Sequence, residues 1–212
     1  MIKPGLNVTP AIVLAAGASS RMGRPKANLP LEDGDTFLSR IVKTLRRAGI
    51  EDVVVVVGFD ADSIVETFAR TGEVARLIEN PDPASGQASS LVRGLNAIDR
   101  PGVAAALVTL VDVPLVSVET VRAVVDRYRQ TRAPVVRPVR GSEHGHPAII
   151  DRALFDLIRR ADPKVGAKPV LRAHASAEGD VEVADDGAFL DVDTKEDYLR
   201  IVGSLHPFIP PR

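Results

Sequence analysis

Short runs of apolar residues, rich in Val, Ile and Leu, punctuate the chain at Ala11 to Ala15, Val53 to Val57, Ala75 to Ile78, Ala104 to Val111 and Pro134 to Val139. Within each run the apolar residues are consecutive rather than alternating, the pattern of strands buried on both faces. Between the runs, apolar positions recur at helical spacing. After Asp35, a candidate N-cap, the residues Phe37, Leu38, Ile41, Val42 and Leu45 share one face, and Gly49 stands where that helix should stop. Similar amphipathic stretches follow Asp60, Gly86 and Ser117. Strands alternating with helices demand right-handed crossovers. This predicts an α/β fold, a three-layer sandwich whose mostly parallel sheet is covered on both faces.

The rhythm breaks after Arg140 into a Gly- and His-containing segment, Gly141 to Pro147, which reads either as an elaboration that binds a second substrate or as an irregular surface loop. With 212 residues the chain is long enough for one full core and short for two, so a single domain over 1–212 is expected. Residues 10–140 would form its core, 141–203 a second functional part, and 204–212 a tail.

Charge and composition narrow the functions. Lys and Arg total 27 against 28 Asp and Glu, so no strong field is available to gather nucleic acid or an anionic membrane, and neither is an expected partner. The absence of cysteine excludes disulfides, thiolate metal sites and a thiol nucleophile. Met1 to Gly5 lacks a charged-then-apolar leader pattern, and no apolar run reaches the roughly 18 residues of a membrane span, which makes a cytoplasmic protein the default.

The strongest chemical signal directly follows the first strand, where Val13-Leu14-Ala15-Ala16-Gly17-Ala18-Ser19-Ser20-Arg21-Met22-Gly23-Arg24-Pro25-Lys26 combines small residues, two glycines and the cations Arg21 and Lys26. A triphosphate requires closely approaching backbone N–H groups and fixed positive charge, at the carboxyl end of a strand. Arg24-Pro25 after the second glycine rules out a Walker loop, and the dinucleotide fingerprint is absent too. A dehydrogenase-type domain loses support accordingly.

Two carboxylate segments stand further on. Asp112, in Val111-Asp112-Val113-Pro114-Leu115, ends a buried strand, and the proline prevents the ladder continuing, so Asp112 should emerge at the sheet's rim beside the first loop. A hard oxygen there suits Mg²⁺ on a triphosphate, although an Asp opening a turn before proline explains the local sequence equally well. In Leu190-Asp191-Val192-Asp193-Thr194-Lys195-Glu196-Asp197-Tyr198, Thr194 and Asp197 fit a capping box, and in extended chain Asp191 and Asp193 point to the same side. The stretch Ser85-Gly86-Gln87-Ala88-Ser89-Ser90 offers N–H groups and hydroxyls at a helix start, with capping by Ser85 as the plain alternative.

Together these segments resemble the nucleotidyltransferases that activate molybdopterin, sugar phosphates and methylerythritol phosphate. The first loop is similar to their Leu-Ala-Ala-Gly or Leu-Ala-Gly-Gly pattern with Arg-Met/Phe-Gly and a Lys shortly after; Asp112-Val113-Pro114 is similar to Asp-x-Pro-Leu; and Asp191 to Tyr198 resembles Asp-Ile-Asp-Thr-Pro-Glu-Asp-Tyr, with Lys195 replacing the proline. The resemblance, from about Pro10 to Val202, implies a Rossmann-like nucleotidyltransferase fold. It implies that Leu14, Ala15, Ala16, Gly17, Ala18 and Ser19 contact the nucleotide, as do Gly86, Gln87, Ser89 and Ser90. Arg21 and Lys26 would contact phosphate oxygens and, with Asp112, form the catalytic set, while Asp112 and Asp193 would hold Mg²⁺; Asp191 would orient a neighbour or a water.

Gly145-His146-Pro147 looks like the Gly-His-Pro of the molybdopterin cytidylyltransferase branch, which implies acceptor contacts from His146 and Pro147; a structural histidine in an irregular loop is the competing reading. Ala16 is similar to the cytidylyl rather than the guanylyl pattern. The resemblance thus implies transfer of CMP from CTP to molybdopterin with release of pyrophosphate, and transient contact with a molybdoenzyme or its chaperone. The rivals are guanylyl transfer, transfer to a sugar or polyol phosphate, and a non-catalytic molybdopterin chaperone.

Overall fold

The computed structural model describes residues 8–31 and 34–203, so the expected tail and the Met1 to Gly5 segment lie outside the described residues. In chain order the elements are β1 (Ala11–Ala15), α1 (Phe37–Arg47), β2 (Val53–Val57), α2 (Ala61–Ala69), β3 (Arg76–Glu79), α3 (Gln87–Ile98), β4 (Ala105–Leu110), α4 (Val118–Thr131), β5 (Val135–Arg140), β6 (Glu143–His144), β7 (Ala148–Asp151), α5 (Phe155–Arg159), α6 (Lys168–His174), β8 (Asp180–Glu182) and α7 (Lys195–Val202).

The strands form one sheet in the order β3-β2-β1-β4-β7-β5-β6, with β8 pairing β5. The β1, β2, β3 and β4 pairings are all parallel, whereas β7 runs antiparallel between β4 and β5. Every residue of β1 and β2 is buried, as their consecutive apolar runs require. One apolar layer packs α1, α2 and α4 residues such as Ile41, Ile64 and Val124 against Val13, Val55 and Leu107; the other packs α3 and α5 residues such as Leu95 and Phe155 against Ile12, Val54 and Ala106. The three-layer arrangement with a mostly parallel central sheet matches the expectation.

The sequence pattern missed details on both sides of residue 140. The helix after Asp35 is capped by Thr36, whose side chain accepts from the Ser39 N–H in a capping box, because the Asp35 carboxylate is drawn into ion pairs with Arg40 at 3.0 Å and Lys43 at 2.6 Å. Gly86, not Ser85, caps α3, and the Ser85 hydroxyl turns instead to Asp82. The segment after Arg140 is a hairpin: β6 returns along β5, and β7 then inserts beside β4. Gly145 permits this, since a Cβ there would lie 2.4 Å from the Ala188 carbonyl oxygen.

Asp185 ties the chain preceding α7 to the start of α4. Its carboxylate accepts from the Ser117 N–H at 2.8 Å, the Thr120 hydroxyl at 2.7 Å and the Gly187 N–H at 3.0 Å. Burial opposes ionisation, but these hydrogen bonds outweigh it and hold the carboxyl below its ordinary value of 3.8. A carboxyl whose folded pKa is depressed stabilises fully above its unfolded pKa, and the contribution disappears as pH falls through the folded value. Asp185→Asn is therefore expected to be less stable than the parent at neutral pH, with the gap narrowing below pH 3.8. Urea unfolding across that range checks this; a gap constant with pH would assign Asp185 a packing role without charge.

Candidate active site

The carboxyl ends of β1 and β4, paired through Leu14 and Leu110, open onto a cleft of about 290 Å³. After β1 the backbone makes a tight loop that Ser19 closes with φ +48°, its carbonyl accepting from the Met22 N–H at 2.9 Å and its hydroxyl from the Lys26 N–H at 3.1 Å. Met22 is fully buried with Leu29, Phe37, Val192 and Tyr198, an apolar cluster that staples the loop to the chain around α7. Lys26 leads a single 3-10 turn, Lys26–Asn28, which directs its side chain back toward β4.

Lys26 is the centre of the charged end. Its Nζ lies 2.9 Å from Asp112 Oδ2 and 2.6 Å from Asp193 Oδ1, and Arg21 lies 3.6 Å from Asp193 Oδ2. Burial works to lower the Lys26 pKa, but hydrogen bonds to Asp193 and Asp112 hold the ammonium above its ordinary value. The Lys26 hydrogen bond in turn keeps the Asp193 carboxyl below the usual range, against the effect of its burial. The carboxylate segments are stitched together, with the Val192 N–H donating to the Asp112 carbonyl at 2.8 Å. That stretch belongs to no strand; Val192 is buried while Asp191 and Asp193, which flank it in sequence, are not, and the Thr194/Asp197 capping box opens α7 directly afterwards.

Of the residues singled out from sequence, Leu14, Ala16, Gly17, Ala18 and Ser19 line the cleft together with Arg21, Lys26, Asp112 and Asp193. Gly86, Gln87 and Ser90 line its other end. Ala15 is buried in the core, and the Ser89 hydroxyl is engaged by Asn80, Asp82 and Gly86 within the turn, so neither is on the wall. His146 and Pro147 are also off this wall. His146 sits among Asp191, Asp112 and the Val108 backbone, and its Nδ1 is sealed from solvent without a hydrogen-bond partner. Burial lowers the His146 pKa, while partial burial and the neighbouring Asp112 raise that of Asp191.

Phe59 and Pro83 also line the cleft, and neither carries the charge or the glycine that marks the other wall segments in the sequence. The position of Phe59 just past β2, beside the loop after β1, was the available signal. Asn80 was missed as well. Buried, it donates to Ser89 at 2.8 Å and Ser90 at 3.0 Å and accepts from the Asp82 N–H, so it shapes the turn before α3.

The donor set fits a divalent ion held jointly with phosphate. Among the described residues no group of three or more His, Cys, Asp or Glu side chains forms a metal cage. However, Asp112 Oδ1 is buried without a hydrogen-bond partner, and Mg²⁺ characteristically takes one or two carboxylates and completes its shell with phosphate oxygens and water. Asp112 and Asp193 are the residues that would hold it.

Replacing Lys26 tests the charge coupling. In Lys26→Met the Asp193 carboxyl is expected to titrate at higher pH than in the parent, as followed by carboxyl-carbon NMR. An unchanged titration would show that the ammonium does not dwell on Asp193 in solution.

Among the described residues no helix is long and apolar enough to cross a membrane. The chain is similar in sequence to proteins of several named activities and in structure to a solved one. The chain is 32% identical over 199 residues to nicotine blue oxidoreductase of Paenarthrobacter nicotinovorans, covering 90% of this chain and 95% of that protein. It is 35% identical over 161 residues to a probable molybdenum cofactor guanylyltransferase of Mycobacterium tuberculosis, covering 74% and 73%. It is 26% identical over 193 residues to the molybdenum cofactor cytidylyltransferase of Escherichia coli, covering 89% and 92%. A Mycobacterium tuberculosis protein solved in complex with manganese superposes with a TM-score of 0.71 at 27% identity, over 93% of this chain and all of that one. Residues 11–178 match the MobA-like NTP transferase domain, a span that contains the loop after β1, Asp112 and the Gly86 to Ser90 segment, and the chain belongs to this family of enzymes.

Proposed function

We propose that the protein transfers CMP from CTP to molybdopterin, using Mg²⁺ and releasing pyrophosphate. The observation that carries the reading is the Lys26 ammonium held between Asp112 and Asp193 at one end of an open cleft, beside a loop of small residues. A terminal phosphate oxygen of the acceptor attacks the α-phosphorus in line. The new P–O bond forms as the bond to the β-phosphate oxygen breaks, and that electron pair leaves with pyrophosphate. Lys26 and Arg21 stabilise the charge developing on the phosphate oxygens, and the backbone from Ala16 to Ser19 positions the chain of phosphates. The acceptor phosphate is already ionised at neutral pH, so no general base is required. Asp112 and Asp193 would hold Mg²⁺, which would further neutralise phosphate charge.

Cytosine is favoured by Ala16 and by the Gly145-His146-Pro147 segment; guanylyl transfer is the alternative within the class, and the guanylyltransferase relative is the more identical of the two over its aligned length. A redox reading rests on the oxidoreductase relative, whose likeness extends over 90% of this chain. Products separate these readings. With Mg²⁺, molybdopterin and each NTP in turn, pyrophosphate release is expected, fastest with CTP. Faster release with GTP would replace the base assignment, whereas no pyrophosphate release with any NTP would overturn the transferase reading.

His146 and Pro147 are proposed to border the acceptor on the far side of the carboxylates. His146→Ala is expected to leave CTP affinity unchanged and to raise the KM for molybdopterin. A folded variant with the parent's acceptor KM would remove His146 from the acceptor site.

A further inference from the structure

Phosphate chemistry accounts for one end of the cleft and leaves the other unexplained. There Phe59, a large apolar side chain, remains 39% exposed and lines the cleft with Ala16, Pro83 and Gln87. Exposed aromatic surface forgoes the stabilisation that burial would bring, so a concave wall that presents a ring invites a flat apolar partner.

The backbone around this ring is fixed from several directions. β2 pairs parallel with β1, Ala15 opposite Val57, so the chain leaving β2 emerges alongside the loop leaving β1. Gly58 makes the contact intimate, because a Cβ there would lie 2.8 Å from both the Ala16 and Pro83 Cβ atoms and 3.0 Å from the Ala16 carbonyl oxygen. Asp60 follows in the left-handed region, φ +57°, with its carbonyl accepting from the Ile64 N–H as α2 begins. The Asn28 side chain donates to the Ser63 carbonyl at 3.2 Å and hydroxyl at 3.1 Å, tying the first turn of α2 to the turn that carries Lys26. Phe59 is thereby positioned by the elements that position the phosphate-binding cations.

We propose that Phe59 is the stacking surface for the nucleobase, contributing affinity that does not depend on which base is bound, while base discrimination falls to the Gln87 amide. Ser90 is buried and accepts from Asn80 at 3.0 Å, whereas Gln87 is exposed at the start of α3 and its amide offers both a donor and an acceptor to a base edge. Every base has a π-face, so stacking tolerates changes of base, whereas hydrogen bonds to an edge do not. The inference rests on the nucleotide-binding reading.

The test compares Mg²⁺-dependent binding of CTP, GTP and inorganic tripolyphosphate by calorimetry to the parent protein, Phe59→Ala and Phe59→Tyr. Loss of one stacked base is expected to weaken both nucleotides roughly tenfold in Phe59→Ala. Tripolyphosphate, which has no base, should bind all three proteins equally, and Phe59→Tyr should restore nucleotide affinity. Unchanged nucleotide binding in Phe59→Ala, an equal loss for tripolyphosphate, or a loss confined to one base would each overturn the assignment. A parent protein that binds tripolyphosphate and neither nucleotide would overturn the nucleotide reading itself, and the stacking role with it.

Discussion

Burying a lysine ammonium is costly unless its charge is met, and the meeting of Lys26 with Asp112 and Asp193 organises this molecule. The three residues come from the loop after β1, the end of β4 and the approach to α7, so their contact closes chain separations of 86 and 167 residues. The contact is supported from below. Met22, Val192 and Tyr198 share one apolar cluster, and the Tyr198 hydroxyl donates to the Pro30 carbonyl at 2.8 Å. Removing the ammonium would leave carboxylates facing one another on a frame that the core prevents from relaxing apart. The same frame holds Lys26 where an anionic phosphate competes with the carboxylates for its charge, so the stabilising contact of the free protein and the proposed work on substrate use one group.

The sheet explains why the site lies there. From β1 the chain crosses through α1 to β2 on one side, and after β3 it returns through α3 to β4 on the other side of β1. The α1 side chains pack in one apolar layer and those of α3 in the opposite one. The connection leaving β1 and the connection arriving at β4 therefore lie on opposite faces of the sheet, and such a switch point leaves a crevice outside the strand ends. Glycine serves this geometry where a helix meets the sheet as well. A Cβ on Gly94 would fall 2.6 Å from an Ile12 methyl, so α3 approaches β1 closely at its middle while its first turn borders the cleft.

This crevice was legible in the sequence because burial on both faces leaves consecutive apolar residues. β1 and β2 coincide with their apolar runs, and β4 begins and ends one residue inside its own. Even β3, an edge strand with no fully buried residue, is displaced by only one position from its run. Beyond Arg140 the signal fails for a physical reason. β6, β7 and β8 contain two, four and three residues, too few to show a period, and they are set in place by long-range contacts such as Gly145 against Ala188. The charged residues of the site were legible because loops that carry fixed charge and glycine are chemically distinctive. Phe59 and Asn80 were not, since an aromatic after a strand and an asparagine in a turn each have ordinary structural uses.

That division bears on how relatives of one architecture come to carry different names. The phosphate end is determined by the core: Lys26, Asp112 and Asp193 project from segments anchored by β1, β4 and a buried cluster, and moving any of them strains packing shared with the others. At the other end the backbone is also held, by Gly58 against Ala16 and Pro83, but the Phe59 and Gln87 side chains are not part of the core. The side chains of Phe59 and Gln87 stand on exposed connections at the starts of α2 and α3, where substitution costs the core little. The hairpin from Arg140 to Ala148 likewise joins the sheet through few strand pairings. Relatives named as guanylyl- and cytidylyltransferases, and one named as an oxidoreductase, can therefore preserve this sheet while changing what the cleft accepts. On the proposed reading, specificity would rest on side chains that stand outside the core, so it can change without disturbing the fold that holds Lys26, Asp112 and Asp193.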